Sequence, residues 1–140
     1  MHPRFVTGLL AATLCLAGCG SDPDYANEPR PPSPINVTAA ITDGEITVSP
    51  QEFGAGPIVL IIANETQDPQ RVTLETDEVA GEQGGIKQST SPINPDGTAT
   101  LKVDVREGDY QVSVEGTGIK PARVKVGAER ESAQNELLQP

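Results

Sequence analysis

Pro57-Ile58-Val59-Leu60-Ile61-Ile62-Ala63-Asn64 is the stretch whose reading decides the fold. Beyond the first 19 residues it holds the chain's only run of five consecutive large aliphatics. A run this short, with Pro before it and Asn after it, is too brief for a buried helix and reads as a strand. Unbroken aliphatic character, rather than alternation, predicts that both of its faces are covered. It is the expected central strand of one folded domain, which is what 140 residues allow.

Short alternating runs lie on either side of it. Upstream, Val37-Thr38-Ala39-Ala40-Ile41-Thr42 and Glu45-Ile46-Thr47-Val48 flank Asp43-Gly44, the signal of a two-residue hairpin turn. That turn sets Ile41 opposite Ile46 and Ala39 opposite Val48, so one face is apolar on both strands. Pro50 ends the pairing, and Gly54-Ala55-Gly56-Pro57 is expected to turn the chain into the central strand. Downstream, a polar turn over 65–69 leads into Gln70-Arg71-Val72-Thr73-Leu74-Glu75, which alternates again. Residues 76–92, with Gly81, Gly84 and Gly85, form the longest expected loop, and Asn94-Pro95-Asp96-Gly97 has the preferences of a type I turn.

Thr98 to Val105 and Tyr110 to Glu115 show the clearest period of two, pointing Leu101, Val103, Val105, Tyr110, Val112 and Val114 inward. Their connector, Arg106-Glu107-Gly108-Asp109, fits a simple hairpin. It fits equally a tyrosine corner, where the strands belong to opposite sheets and the Tyr hydroxyl bonds back to upstream backbone. Ala122 to Val126 is a last strand. Ala128 to Pro140 is a polar tail of tolerable helix formers, frayed in the absence of packing. Seven short strands over residues 36–127 predict an all-β Greek-key sandwich.

The N-terminus reads as an export signal. Arg4 supplies a positive start, and Phe5 to Ala17 is apolar apart from Thr7, Gly8, Thr13 and Cys15. This is shorter than the roughly 20 residues that cross a bilayer and suits the h-region of a signal peptide. It ends in Leu16-Ala17-Gly18-Cys19, which resembles the lipobox of bacterial lipoproteins. The resemblance implies that residues 1–18 are cleaved, that diacylglycerol is attached to the Cys19 thiol, and that the protein sits on the cell membrane facing outside the cytoplasm. Two acyl chains suffice for stable attachment. Gly20 to Pro34 follows with five prolines in 15 residues, so residues 19–35 read as a lipidated Cys and an extended tether. At polyproline spacing such a tether reaches up to roughly 45 Å.

Composition excludes more than it identifies. Twenty acidic against ten basic residues, a net charge of −10, argue against nucleic acid, whose phosphates need clustered Lys and Arg. Cleavage after Gly18 would remove Met1, His2, Arg4 and Cys15, leaving nine basic and twenty acidic residues, or −11. Residues 20–140 contain no His, Met, Cys or Trp. Ser-His and Cys-His nucleophile pairs are thereby impossible in the mature chain, as is an internal disulfide. Paired carboxylates remain, but without the aromatic platforms that hold sugars. Asp77, Glu78 and Glu82 match no calcium-loop spacing. Gly81-Glu82-Gln83-Gly84-Gly85 lacks the Lys-Ser/Thr that follows a phosphate cradle. No enzyme is expected. Asn36-Val37-Thr38 and Asn64-Glu65-Thr66 match the glycosylation pattern, by chance in a bacterial chain.

Several stretches resemble the cupredoxins, small blue-copper sandwiches. They are Ile46-Thr47-Val48-Ser49-Pro50, Phe53 to Leu60, Asn64 into Val72-Thr73-Leu74, Gly97 to Leu101, and Gly108-Asp109-Tyr110-Gln111-Val112. The resemblance implies a cupredoxin-like sandwich, and it also implies where copper ligands would stand. The family's first His falls at Gln70 or Arg71 and its Cys at Val114 or Glu115. Its second His and its Met have no counterpart in Gly116 to Pro121. No cofactor is therefore expected, since blue copper needs two imidazoles, a thiolate and usually a thioether. The expected function is a membrane-anchored, non-catalytic binding or scaffolding module for an extracytoplasmic protein partner. The candidate partner-binding residues are Asn64, Gln70, Arg71, Thr117 and Lys120. The alternatives are a passive surface spacer and an accessory subunit of a copper or respiratory assembly.

Overall fold

A computed structural model describes residues 30–77, 85–116 and 118–132 of the chain. Eight strands run through them: β1 (Ile35–Ile41), β2 (Ile46–Ser49), β3 (Glu52–Asn64), β4 (Val72–Thr76), β5 (Lys87–Ser89), β6 (Thr98–Val105), β7 (Gly108–Val114) and β8 (Ala122–Glu129). Among the described residues there is no helix.

The strands form two layers that share β3. In the first layer the order is β2-β1-β3-β6, with β1 parallel and β6 antiparallel to β3. In the second it is β3-β8-β7-β4-β5. Residues Glu52 to Ala55 of β3 pair in parallel with β8, and Gly56 to Asn64 pair with β1 and β6. The expected turn at Gly54 to Pro57 is thus the place where one continuous strand passes from one layer to the other, with a register shift between Gly54 and Ala55. Glycine lets it bend there: Gly56 has φ +123°, a conformation that favours residues without a Cβ.

Inward side chains from the two layers meet in one hydrophobic core. Val37, Ile41, Val48, Ile58, Leu60, Ile62 and Val103 come from the first layer; Val72, Leu74, Tyr110, Val112, Val114, Val124 and Val126 come from the second. Each fully buried aliphatic contributes about 1.5–3 kcal/mol, and with so few aromatics in the chain these side chains are what the fold rests on. The hairpin pairs Ile41 with Ile46 and Ala39 with Val48, as the Asp43-Gly44 turn dictates. The connector between β6 and β7 is a tyrosine corner. β6 pairs with β3 while β7 pairs with β4 and β8, and the Tyr110 hydroxyl both donates to the Arg106 carbonyl and accepts from the Arg106 N–H, each at 3.0 Å. Of the six residues expected inward here, five are buried and Leu101 is partly so.

Several expectations are corrected. The central strand is not covered on both faces: Ile58, Leu60 and Ile62 are buried, whereas Val59 is half-buried and Ile61 is 36% exposed. An unbroken aliphatic run does not require two-sided burial, and here only one side meets the core. The long loop contains a short strand, β5, whose Lys87, Gln88 and Ser89 are all exposed, so no alternation marks it. The Asn94 to Gly97 turn has its closing bond (Gly97 N–H to Asn94 O, 2.9 Å), but Asp96 at its third position has φ +56°, the sign of a type II turn.

The last strand runs on through Ala128 and Glu129, beyond the expected start of the tail; the rest of that tail lies outside the described residues from 133 onward. At the other end of the chain Pro32 is buried and Ile35 already belongs to β1, so the end of the Pro-rich stretch is part of the fold.

Candidate functional site

Where β3 ends, the chain builds a small closed polar network. Asn64 Nδ2 donates to the carbonyls of Asp68 and Ile93, both at 2.9 Å. Its Oδ1 accepts from the Thr66 N–H at 3.0 Å and lies 2.8 Å from the Thr66 hydroxyl. The carbonyl of Asp68 stands 3.0 Å from that hydroxyl on its other side, and Gln70 Nε2 donates to it at 3.1 Å. The backbone of Asn64 is held as well, its N–H by Gly97 O and its C=O by Asp96 N–H. Asn64 is 1% exposed, Thr66 3% and Gln70 7%. The Asn64-Glu65-Thr66 triplet is therefore an Asx-type turn, in which the side chain of one residue caps the backbone two residues on. An Asn-x-Thr triplet at the end of a strand is the signal that could have identified it.

Of the candidate partner-binding residues, the structure brings Asn64 and Gln70 together, but inside. Neither side chain is presented to a partner, because burial in a satisfied network leaves no group to offer. Arg71 is next in the chain and exposed, with its Nε 4.0 Å from Glu115 Oε2 across a pair in which both side chains are about half exposed. A pair so open contributes little to stability. Lys120 is exposed too, and its backbone exchanges hydrogen bonds with the hairpin turn: Lys120 N–H to Gly44 O and Ile46 N–H to Lys120 O. This ties the segment before β8 to the β1–β2 hairpin. Thr117 and Cys19 lie outside the described residues. Around this end, residues 89–94 and 97–101 also line an open groove of about 450 Å³.

The residues standing at this end do not fit a blue-copper centre. Gln70 is a buried amide already bonded to Thr66, Val114 is buried and apolar, and Arg71 is cationic. Glu115 is an exposed carboxylate, and the described residues that follow, Gly116 and Gly118 to Pro121, bring no imidazole, thiolate or thioether. Among the described residues no group of three or more His, Cys, Asp or Glu is placed to hold a metal ion.

Arg130, which the sequence reading left in the tail, organises the opposite end. Its Nε donates to the carbonyls of Gly54 and Ala55 at 3.1 and 3.2 Å, its NH1 to Ser33 O at 2.7 Å and its NH2 to Pro57 O at 2.7 Å. The backbone N–H of Arg130 adds a bond to Ala55 O at 3.1 Å. A Cβ on Gly54 would stand 2.6 Å from Arg130 Cγ, and one on Gly56 would stand 2.7 Å from Pro32 Cγ. The two glycines thus make the room in which the guanidinium and the incoming chain sit.

No protein-family model matches the chain, and no curated protein matches it in sequence. Solved structures similar to it include dithionite-reduced auracyanin from the photosynthetic bacterium Roseiflexus castenholzii, with TM-score 0.47 and 12% identity over 70% of this chain and 99% of that one. A Cu(I) amicyanin mutant gives 0.44 and 15% over 64% and 79%. Blue Copper Oxidase from Nitrosomonas europaea gives 0.48 and 10% over 76% and 43%, so the chain spans less than half of that oxidase. At such identities the likeness is one of chain trace and transfers no residue's role.

Proposed function

We propose that this chain is a non-catalytic, lipid-anchored extracytoplasmic lipoprotein, a binding or scaffolding module on a cupredoxin-like sandwich that takes no copper. The observation that carries the reading is Leu16-Ala17-Gly18-Cys19 placed directly after an apolar, Arg-led segment and followed by a Pro-rich stretch. The absence of His, Met and Cys from residues 20–140 supports the non-catalytic, copper-free part.

The fold supports a direction of presentation. Arg130 fixes Ser33 where β1 begins, so a tether on Cys19 reaches the domain at that end. Residues 42–45, 65–71, 90–97 and 118–121 connect strands at the other end and face away from the anchor. With Asn64 and Gln70 inside, the exposed Arg71 and Lys120 are the candidate residues left at this end to meet a partner, and they stand among the exposed carboxylates of Asp43, Glu45, Glu65, Asp68 and Asp96.

The test is cross-linking capture on intact cells expressing the full chain. Arg71→Glu with Lys120→Glu is expected to lower capture at least about tenfold, the effect of losing about 1.4 kcal/mol of interface energy. Capture unchanged by both substitutions would place the binding surface elsewhere, and no capture by the unaltered chain would leave a spacer.

A further inference from the structure

The chain holds two Asp-Gly pairs, Asp43-Gly44 and Asp96-Gly97, and no Asn-Gly. Such a pair carries chemistry of its own, because glycine has no side chain to keep its backbone nitrogen away from the preceding carboxyl. Both pairs lie in turns at the same end of the sandwich, and the fold treats them differently.

Asp96-Gly97 is locked. The Gly97 N–H donates to Asn94 O at 2.9 Å, the Gly97 carbonyl accepts from the Asn64 N–H, and the Asp96 N–H donates to Asn64 O. Packing requires glycine there, since a Cβ at 97 would stand 2.8 Å from Asn94 O. Asp43-Gly44 is open. Both residues are exposed, and among the described residues none accepts the Gly44 N–H or pairs with the Asp43 carboxylate. Neither residue has a positive φ, and a Cβ on Gly44 would meet nothing within 4 Å, so neither the turn nor the packing asks for glycine. What this turn does hold is the segment before β8. Gly44 O accepts from the Lys120 N–H at 3.0 Å, and Lys120 O accepts from the Ile46 N–H at 2.9 Å.

We propose that Asp43 is a modification site, where the carboxyl condenses with the Gly44 nitrogen without an enzyme and the resulting isoaspartate unties the β1–β2 hairpin from Lys120. In the first step the Gly44 nitrogen bonds to the Asp43 side-chain carbonyl carbon. The carboxyl hydroxyl leaves with the amide proton as one water. Water then opens the succinimide ring at the former main-chain carbonyl, restoring the mass and the charge. The chain now runs through the side-chain carbonyl and is one methylene longer between residues 43 and 44. A longer hairpin tip moves Gly44 O out of line with the Lys120 N–H, and hydrogen bonds weaken steeply as alignment is lost. The inference stands on the two turns and requires neither the lipid anchor nor a partner.

Ageing of the full chain in detergent, at neutral pH and body temperature, tests it. One sample is kept folded and one is unfolded in guanidinium, and both are read by peptide mapping with electron-transfer fragmentation, which tells isoaspartate from aspartate. In the unfolded sample both pairs should convert at similar rates. In the folded sample position 43 should convert, with position 96 slower by at least about tenfold because its backbone hydrogen bonds must open first. Gly44→Ala, for which the turn has room, should fold and convert more slowly at 43. In the converted chain the Lys120 N–H should exchange faster with deuterium. No conversion at 43 in the folded chain, conversion at 96 as fast as at 43, or an undiminished rate in Gly44→Ala would each overturn the modification site. Unchanged exchange at Lys120 after conversion would overturn the untying.

Discussion

Replacing Asn64 by Ala strips four side-chain hydrogen bonds from a site that is 1% exposed and leaves the buried Thr66 N–H without its partner, while the Ile93 carbonyl keeps the Gln70 N–H. Asn64→Ala is therefore expected to cost about 3 kcal/mol, read as a lower urea midpoint at unchanged slope. Gln70→Ala removes one bond at the edge of the same network and is expected to cost about 1 kcal/mol. Equal losses for the two would show that Asn64 is not the hub. The sequence marked both residues as a place of interest through the strand end and the resemblance around it. It could not mark them as inward-facing, since their partners, Ile93 and Thr66, are set by a turn and a tertiary contact rather than by periodicity.

Among the elements, β3 was legible as a strand and illegible in its surroundings. A run of five aliphatics states that the strand is apolar; which of its faces meets the core depends on what the other layer covers, and that layer lies only inside. The short β5 was hidden because all three of its residues face solvent. Gly54 and Gly56 looked like a turn, yet they serve a strand that changes layers and makes room for Arg130. Arg130→Ala removes the side-chain bonds to the carbonyls of Ser33, Gly54, Ala55 and Pro57. Hydrogen bonds from a charged donor to a partly buried carbonyl are worth about 1.5–3 kcal/mol each in the best case. Part of that returns when water reaches the freed carbonyls, so a net loss of about 2 kcal/mol is expected. The accompanying local effect is faster hydrogen–deuterium exchange over 33–36, where β1 begins, because the Pro32-Ser33 segment loses its hold. Exchange at an unchanged rate would mean that Pro32 alone pins the segment.

For the molecule as a whole, the two ends of the sandwich have separate work. One receives the chain and locks it with Arg130; the other gathers the loops around a buried Asn-Thr-Gln network. Two layers and the hairpin register followed from alternation and turn chemistry, whereas the connector before Tyr110 fitted a hairpin and a tyrosine corner equally and only the pairing of β6 and β7 with different strands decided for the corner. What each outer face does was not legible, because every outward face is the polar half of the same alternation. What joins these parts into one account is the lipid proposed on Cys19, which would make the clamped end the membrane side. The direct measurement is the intact mass and N-terminal peptide of the full chain recovered from a bacterial host's membranes. The account predicts a chain that starts at Cys19 and carries diacylglycerol on its thiol, lost together with membrane retention in Cys19→Ala. A chain that still begins at Met1, or a Cys19 with a free thiol, would contradict it.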